Sequence, residues 1–363
     1  MDIRINFVDC FQSDVANDIF KFLDDAADLI RATAVSRSWR HTVIANGLCK
    51  KLCLRKFPPF ASIACVVEEN EGIIKILDVL SKSPVNWGTL ERQHNIYCSL
   101  LRVLATPMTP PRECIAVAVG ASSTDRDPAE NVVNTLIPVD RYSDWGGSYW
   151  SSAGHSDPNV PEHILYRLRT GICILTEINI RPFEVFFVAR LVFWEPGSPV
   201  YSAKCVRFKL GHPKSAADFY IDVRTLQKPC VDKYVWTYTS PEFPMTQESC
   251  MQQFKLPEPV VCIGGLLLVE LLGRVQKEEI NGLFYICLGH VRALGRPLGP
   301  AFNLEMFPSG ELLLRYCPDA IDSVLQSFPG EGTNNSLGFV DIARGLHQIG
   351  EVLPFHLAEE VFH

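Results

Sequence analysis

The stretch from Phe11 to Leu54, FQSDVANDIFKFLDDAADLIRATAVSRSWRHTVIANGLCKKLCL, limits most strongly what this chain can fold into. Val15, Ile19, Phe22 and Leu23 recur at helical spacing, which predicts a helix with one wet and one dry face. Ser13 can cap it, and Asp14 adds negative charge to its first turn. Asp24 to Asp28 forms a polar break, with Asp28 placed to cap a second helix through Leu29, Ile30, Thr33 and Ala34. A third helix opens at Val35-Ser36-Arg37-Ser38-Trp39-Arg40 and runs towards Gly47, a residue suited to ending it. Three short helices in about 40 residues bury too little apolar surface to stand alone. A unit of this kind expects a partner.

Asp28-Leu29, Val35-Ser36-Arg37-Ser38-Trp39 and the tail Lys51-Leu52-Cys53-Leu54 follow in an order that resembles the F-box. The resemblance covers roughly the first 55 residues. It implies a helical module that binds a Skp-type adaptor and, through it, a cullin. Phe11, Val15, Ile19, Phe22, Leu23, Leu29, Val35 and Trp39 are the residues it assigns to the adaptor. One position departs from the family: Gln12 stands where the opening Leu-Pro carries its proline, with Phe11 in place of the leucine. Loss of that proline points to a weaker adaptor contact.

The remaining chain is long enough for two or three domains, at 363 residues. With 47% hydrophobic and 21% charged residues it reads as globular. A net charge of −7 argues against a general nucleic-acid binder, which carries a basic face. The 13 cysteines are scattered, and no C-x-x-C pair occurs. Cys49 and Cys53 lack a second pair at zinc spacing, so they read as helix core and no metal is expected. The start, MDIRINFVDC, lacks the apolar run of a secretory signal. Reduced thiols in the cytoplasm or nucleus are therefore expected. The longest apolar run, Val260 to Leu272, contains Gly264, Gly265 and Glu270 and is too short to span a bilayer.

Residues 57–111 are expected to form a helical linker after the break at Phe57-Pro58-Pro59-Phe60. Ile73, Ile76, Leu77 and Leu80 make one stripe; Trp87, Leu90, His94, Tyr97, Leu101 and Leu104 make a second. His94 lies within that second stripe without a ligand partner nearby in the sequence, and reads as a hydrogen-bonded core histidine. The prolines of Thr106 to Pro111 end this region. From residue 112 to 298 the period changes to two. Strands are expected at Ile115–Gly120, His163–Leu168, around Ile178 and Ile180, Ala189–Trp194, Ala203–Leu210, around Phe219 to Val223, Tyr234–Tyr238, Gln252–Leu256, Leu266–Leu272 and Phe284–Ala293. Such close strands without long helices between them predict an antiparallel sandwich. Residues 299–363 are expected to form a C-terminal extension packed on the sandwich, with a hairpin of Leu304, Met306, Leu312 and Leu314 around Pro308-Ser309-Gly310, then a short helix after Phe339 and an extended tail.

The order of a small-residue start (Ala121-Ser122-Ser123-Thr124), a loop ending at Trp150 and the strand from Ile174 to Phe183 resembles the discoidin, galactose-binding-like jelly roll. F-box chains that carry such a sandwich are a plant type. The fold class expected is thus α+β and multidomain: a three-helix F-box, a helical linker, then an antiparallel jelly-roll sandwich. No G-x-S-x-G, P-loop, H-E-x-x-H or G-x-G-x-x-G occurs, so neither an enzyme nor a cofactor is expected. Ligands of jelly rolls sit on loops at one end, which singles out the segment from Arg141 to Pro161. Trp145, Tyr149, Trp150 and His155 are its candidate target contacts. The resemblance implies a substrate-recognition subunit of an SCF-type, cullin-based ubiquitin ligase, with an unknown target protein that is bare, glycosylated or otherwise modified. A lectin-like or small-ligand module without a ligase role is the alternative.

Overall fold

Local side-chain chemistry defines the N-terminal helices. A computed structural model describes residues 7–10, 13–69, 86–106, 110–137, 148–184, 199–219 and 230–325. A single turn, α1 (Phe7–Cys10), precedes α2 (Ser13–Lys21), α3 (Ala26–Ala32), α4 (Arg37–Ala45) and α5 (Leu48–Lys56). The cap of α3 is Asp25 rather than Asp28: its carboxylate accepts from Ala27 N–H at 2.8 Å. Asp28 sits instead in the first turn, paired with Arg31. Ser36 caps α4 by accepting from Trp39 N–H at 3.2 Å. Gly47 follows in the left-handed region at φ +57°, where a Cβ would be strained, and turns the chain into α5. The tail Lys51 to Leu54 is therefore part of a further helix.

The linker is only partly helical. Residues 63–68 form strand β1 (Ile63–Glu68), where continuous helix from Ala61 was expected. The stripe from Ile73 to Leu80 lies outside the described residues. Helix α6 (Trp87–Ala105) forms over the second stripe, but its buried face is Ile96, Tyr97, Leu100, Leu101 and Val103, and Trp87 is left exposed. Strand β1 runs parallel to β14 (Leu312–Tyr316), which pairs antiparallel with β13 (Phe302–Met306). The expected hairpin after Pro300 thus forms, and its partner is the linker rather than only the sandwich. The β-branched and apolar run Ile63 to Val67 suits a strand because β14 and the helices bury it.

The sandwich is built from two antiparallel sheets. One has the order β10-β6-β12-β2, with β4 also on β12; the other has the order β3-β5-β11-β7-β8, with β9 also on β7. Its strands are β2 (Arg112–Glu113), β3 (Ile115–Ala121), β4 (Trp150–Ser151), β5 (Glu162–Leu168), β6 (Ile172–Pro182), β7 (Ala203–Pro213), β8 (Tyr234–Thr239), β9 (Phe243–Pro244), β10 (Gln252–Ile263), β11 (Leu266–Arg274) and β12 (Cys287–Pro297). Alternate residues meet between the sheets: Ile164 and Tyr166, Phe208 and Leu210, Leu267 and Val269 face Leu175, Ile178, Val291 and Ala293. Gly264 and Gly265, at φ +98° and +66°, make the two-residue turn that joins β10 to β11. Phe219 ends a short helix, α7 (Ala216–Phe219), where a strand was expected to start. The strand expected at Ala189–Trp194 and the helix after Phe339 fall outside the described residues. The last described element is helix α8 (Ile321–Leu325).

Helices, three-stranded sheet and one end of the sandwich share one apolar core. Leu29, Val43 and Leu52 of the helices, Leu100 of α6, Phe302 and Leu314 of the small sheet, and Ile172 and Ile263 of the sandwich belong to it. Arg296 of β12 fastens the junction by donating to the α6 carbonyl of Val103 at 2.6 Å and to Thr106 at 2.8 Å. It adds a side-chain donor at the last carbonyls of the helix. His94 is hydrogen-bonded as expected, to Cys98, but it is not without ligand partners, since Cys49 and Cys98 both lie beside it.

Candidate functional site

Two apolar stripes run along α2, about 100° apart by helix geometry. Ala16 and Phe20 form the inner one and are buried. Val15 and Ile19 form the outer one and face water, as does Phe22 just past the end of α2, with 85% of its surface exposed. The dry face expected from Val15, Ile19 and Phe22 is thus the outward one. Ile30 and Val35 are exposed as well, the latter at 59%. A helix turn of 100° explains Ile30: Leu29 and Ala26 point into the core, so the next residue points out. Large exposed apolar side chains elsewhere in the described residues, such as Ile137, Met251 and Ile280, are scattered along the chain. Five such side chains fall within 21 residues, Val15 to Val35, the densest run of exposed large apolar side chains among the described residues.

The other assigned residues divide between roles. Leu29 is 1% exposed and fills the helical core, so it is no surface contact. Leu23 and Trp39 are half-buried against that core, with the Trp39 ring set edge-on to Phe20 at 5.1 Å. Phe11 lies outside the described residues. Arg55 of α5 supports the outer stripe from behind. It donates to the Lys21 carbonyl at 2.8 Å and pairs with Asp24, which closes the C-terminal end of α2 just where Phe22 emerges. Ile30 was missed as a surface residue because periodicity places apolar positions on a face without saying whether that face is covered by the same chain.

At the sandwich, the candidate loop is tied down by a buried ion pair. Arg274 and Glu162 are almost fully buried and hydrogen-bonded to each other. Arg274 also donates to Ser152 Oγ at 3.0 Å, to the Ala153 carbonyl at 2.9 Å and to the Phe284 carbonyl at 2.9 Å. Glu162 accepts from Ser123 at 2.7 Å and from Ser122. Both charges thus meet several hydrogen-bond partners within the fold, which is what makes such burial tolerable.

Around this clamp the expected target contacts separate. Trp150 is 0% exposed, with its indole N–H donating to the Ser123 carbonyl at 3.1 Å; it is a core plug and not a contact surface. Tyr149 is half-buried, stacked on Phe183 at 4.3 Å, and its hydroxyl donates to Glu130 at 2.7 Å. Burial, then the bond to Glu130, pushes the Tyr149 hydroxyl well above its usual range, so it stays a donor. His155 turns back on its own loop, where Nδ1 accepts from Asp157 N–H at 3.0 Å. Trp145 lies outside the described residues. Phe183, Tyr201 and Tyr285 join Tyr149 in one aromatic cluster. They come from distant parts of the sequence, and only the return of β12 beside β4 and β6 collects them.

Residues 13–55 match the F-box-like family model. An F-box protein of Arabidopsis thaliana is 41% identical over 307 residues, a match that covers 83% of this chain and 79% of that protein. Among solved structures, the sandwich is similar to the family 32 CBM of C. perfringens NanJ, solved with galactose, at 8% identity and a TM-score of 0.30, covering 50% of this chain and 98% of that one. It is also similar to chitosan-binding module 1 of a Paenibacillus chitosanase/glucanase, at 12% identity and a TM-score of 0.29, covering 51% of this chain and all of that one, 100%.

Proposed function

The chain belongs to the F-box proteins, and from that premise we propose that it is the substrate-recognition subunit of an SCF-type, cullin-based ubiquitin ligase acting in cytoplasm or nucleus. The single observation that carries this reading is the exposed run Val15, Ile19, Phe22, Ile30 and Val35. Large apolar side chains exposed at that density in the sequence call for a cover, and a Skp-type adaptor would supply one. The sandwich then holds the target protein, with the rim of Tyr149, His155 and Tyr285 the first surface to test. Ligation itself takes place on other subunits. The role of this chain is proximity: it raises the effective concentration of target lysines at the charged conjugating enzyme.

The reading is tested by calorimetry of the full chain with a recombinant Skp-type adaptor, followed by recovery of the cullin on the same complex. Val15→Ser and Phe22→Ser together should abolish binding while the melting temperature stays that of the wild type. Wild-type protein that ignores the adaptor, or a double variant that binds it equally well, overturns the assignment. For the sandwich, Tyr149→Ala and His155→Ala should each reduce capture of partners that an adaptor-blind variant still captures.

A further inference from the structure

Helices α5 and α6 cross with three soft or borderline ligand groups between them. Cys49 comes from α5; His94 and Cys98 come from α6, four residues apart and so on one face of that helix. The Cys98 sulfur is 3.2 Å from the Cys49 sulfur and 3.4 Å from His94 Nε2. One ligand atom from each residue lies within 4.8 Å of the other two. We propose that Cys49, His94 and Cys98 form a Zn(II) site that fastens the last F-box helix to the linker helix.

The donor set and its spacing favour zinc. Two thiolates and one imidazole are the mixture found in tetrahedral zinc sites. With Zn–S near 2.3 Å and Zn–N near 2.0 Å, tetrahedral edges are about 3.8 Å between sulfurs and about 3.5 Å between sulfur and nitrogen. The observed sulfur–nitrogen edge already fits, and the sulfurs need to separate by only about half an ångström to admit the ion. On binding, each thiol releases its proton to solvent. The Zn(II) charge is then matched by two thiolates, and a neutral complex remains where Cys49 is fully buried. His94 and Cys98 are only partly buried, which gives the ion an entry path and leaves its fourth position to water. A disulfide between Cys49 and Cys98 would instead require the sulfurs to close to about 2.05 Å, and it would leave the imidazole unused.

Zinc titration of the full chain in a phosphine reductant, against a chromophoric chelator, tests this. The wild type should take one equivalent and melt at a higher temperature when loaded. Replacement of zinc by Co(II) should give a sulfur-to-metal absorption band. His94→Gln and Cys98→Ser, both at partly buried positions, should keep the metal-free melting temperature and lose affinity by about 100-fold or more. Cys250→Ser, at an exposed cysteine remote in sequence, should leave affinity unchanged. Three results would overturn the site: no stoichiometric zinc in the wild type, equal zinc binding in the His94 and Cys98 variants, or a Cys49–Cys98 disulfide that forms in air while zinc is ignored.

Discussion

The helical end of this molecule and its sandwich place apolar side chains in opposite ways. In the sandwich, β11 buries Leu266, Leu267, Leu268, Val269 and Leu271 in succession, and the inner faces of both sheets are dry. In the helices, the inner stripe of α2 is buried while Val15, Ile19 and Phe22 are left in water. The sandwich even takes polar groups inside, with Arg274 and Glu162 satisfied by its own loops. The contrast teaches where each region ends energetically. The sandwich uses buried polar residues to hold its loops, and one of its ends shares a core with the helices; the helical module leaves large apolar side chains uncovered at its surface.

The largest expected effect breaks the sandwich from within. Arg274→Ala leaves the Glu162 carboxylate buried without its cation and should cost about 3 to 5 kcal/mol in chemical denaturation. The pair Arg274→Met and Glu162→Gln, which removes both charges, should be less damaging than Arg274→Ala alone. Next comes a matched pair on the helices. Leu29→Ala empties a core position and should destabilise the module by about 2 to 5 kcal/mol. Phe22→Ala should leave thermal unfolding unchanged yet weaken adaptor binding by about 2 to 4 kcal/mol, measured by calorimetry. A stable Leu29→Ala, or an unstable Phe22→Ala, would erase the distinction between inner and outer stripes.

A smaller effect concerns pH. Burial raises the Glu270 carboxyl, but hydrogen bonds from His163, Lys209 and Arg207 outweigh it and hold the group at about 2. A carboxyl lowered on folding contributes stability above its ordinary range and loses it as pH falls towards that folded value. Denaturant midpoints should therefore drop between about pH 4.5 and pH 2, with this group supplying on the order of 3 kcal/mol at most. Glu270→Gln should flatten that part of the curve. The smallest effect is at the junction: Arg296→Ala removes two charged hydrogen bonds to the end of α6 and should cost about 1.5 to 3 kcal/mol. Faster hydrogen exchange at the last turn of α6 would localise the loss.

Particular residues show how far reading the chain could go. The helix that starts near Ser36, its end at Gly47 and the helix that begins at Trp87 were legible because each depends on neighbours within one or two turns. The strands from Glu162 to Leu168 and from Ala203 to Pro213 were legible because alternation is local too. Strand β1 was not, since Ile63 to Val67 is extended only because β14 arrives from about 250 residues further on. Asp25 and Asp28 are both suitable caps by type, and the choice between them rests on backbone geometry at Ala27.

From the residues alone came the F-box resemblance between Asp28 and Trp39 and the change from helical to strand period after the proline break. Those are statements about residue type and short spacing, which the chain carries wherever it folds. Tertiary structure decided which of two apolar stripes on α2 is covered, and that Trp150 is a plug while Tyr149 stands at a rim. It also brought Cys49 to His94 and Cys98 across two helices. Burial and convergence depend on what packs opposite a residue, and that neighbour is chosen by the fold as a whole rather than by the sequence on either side.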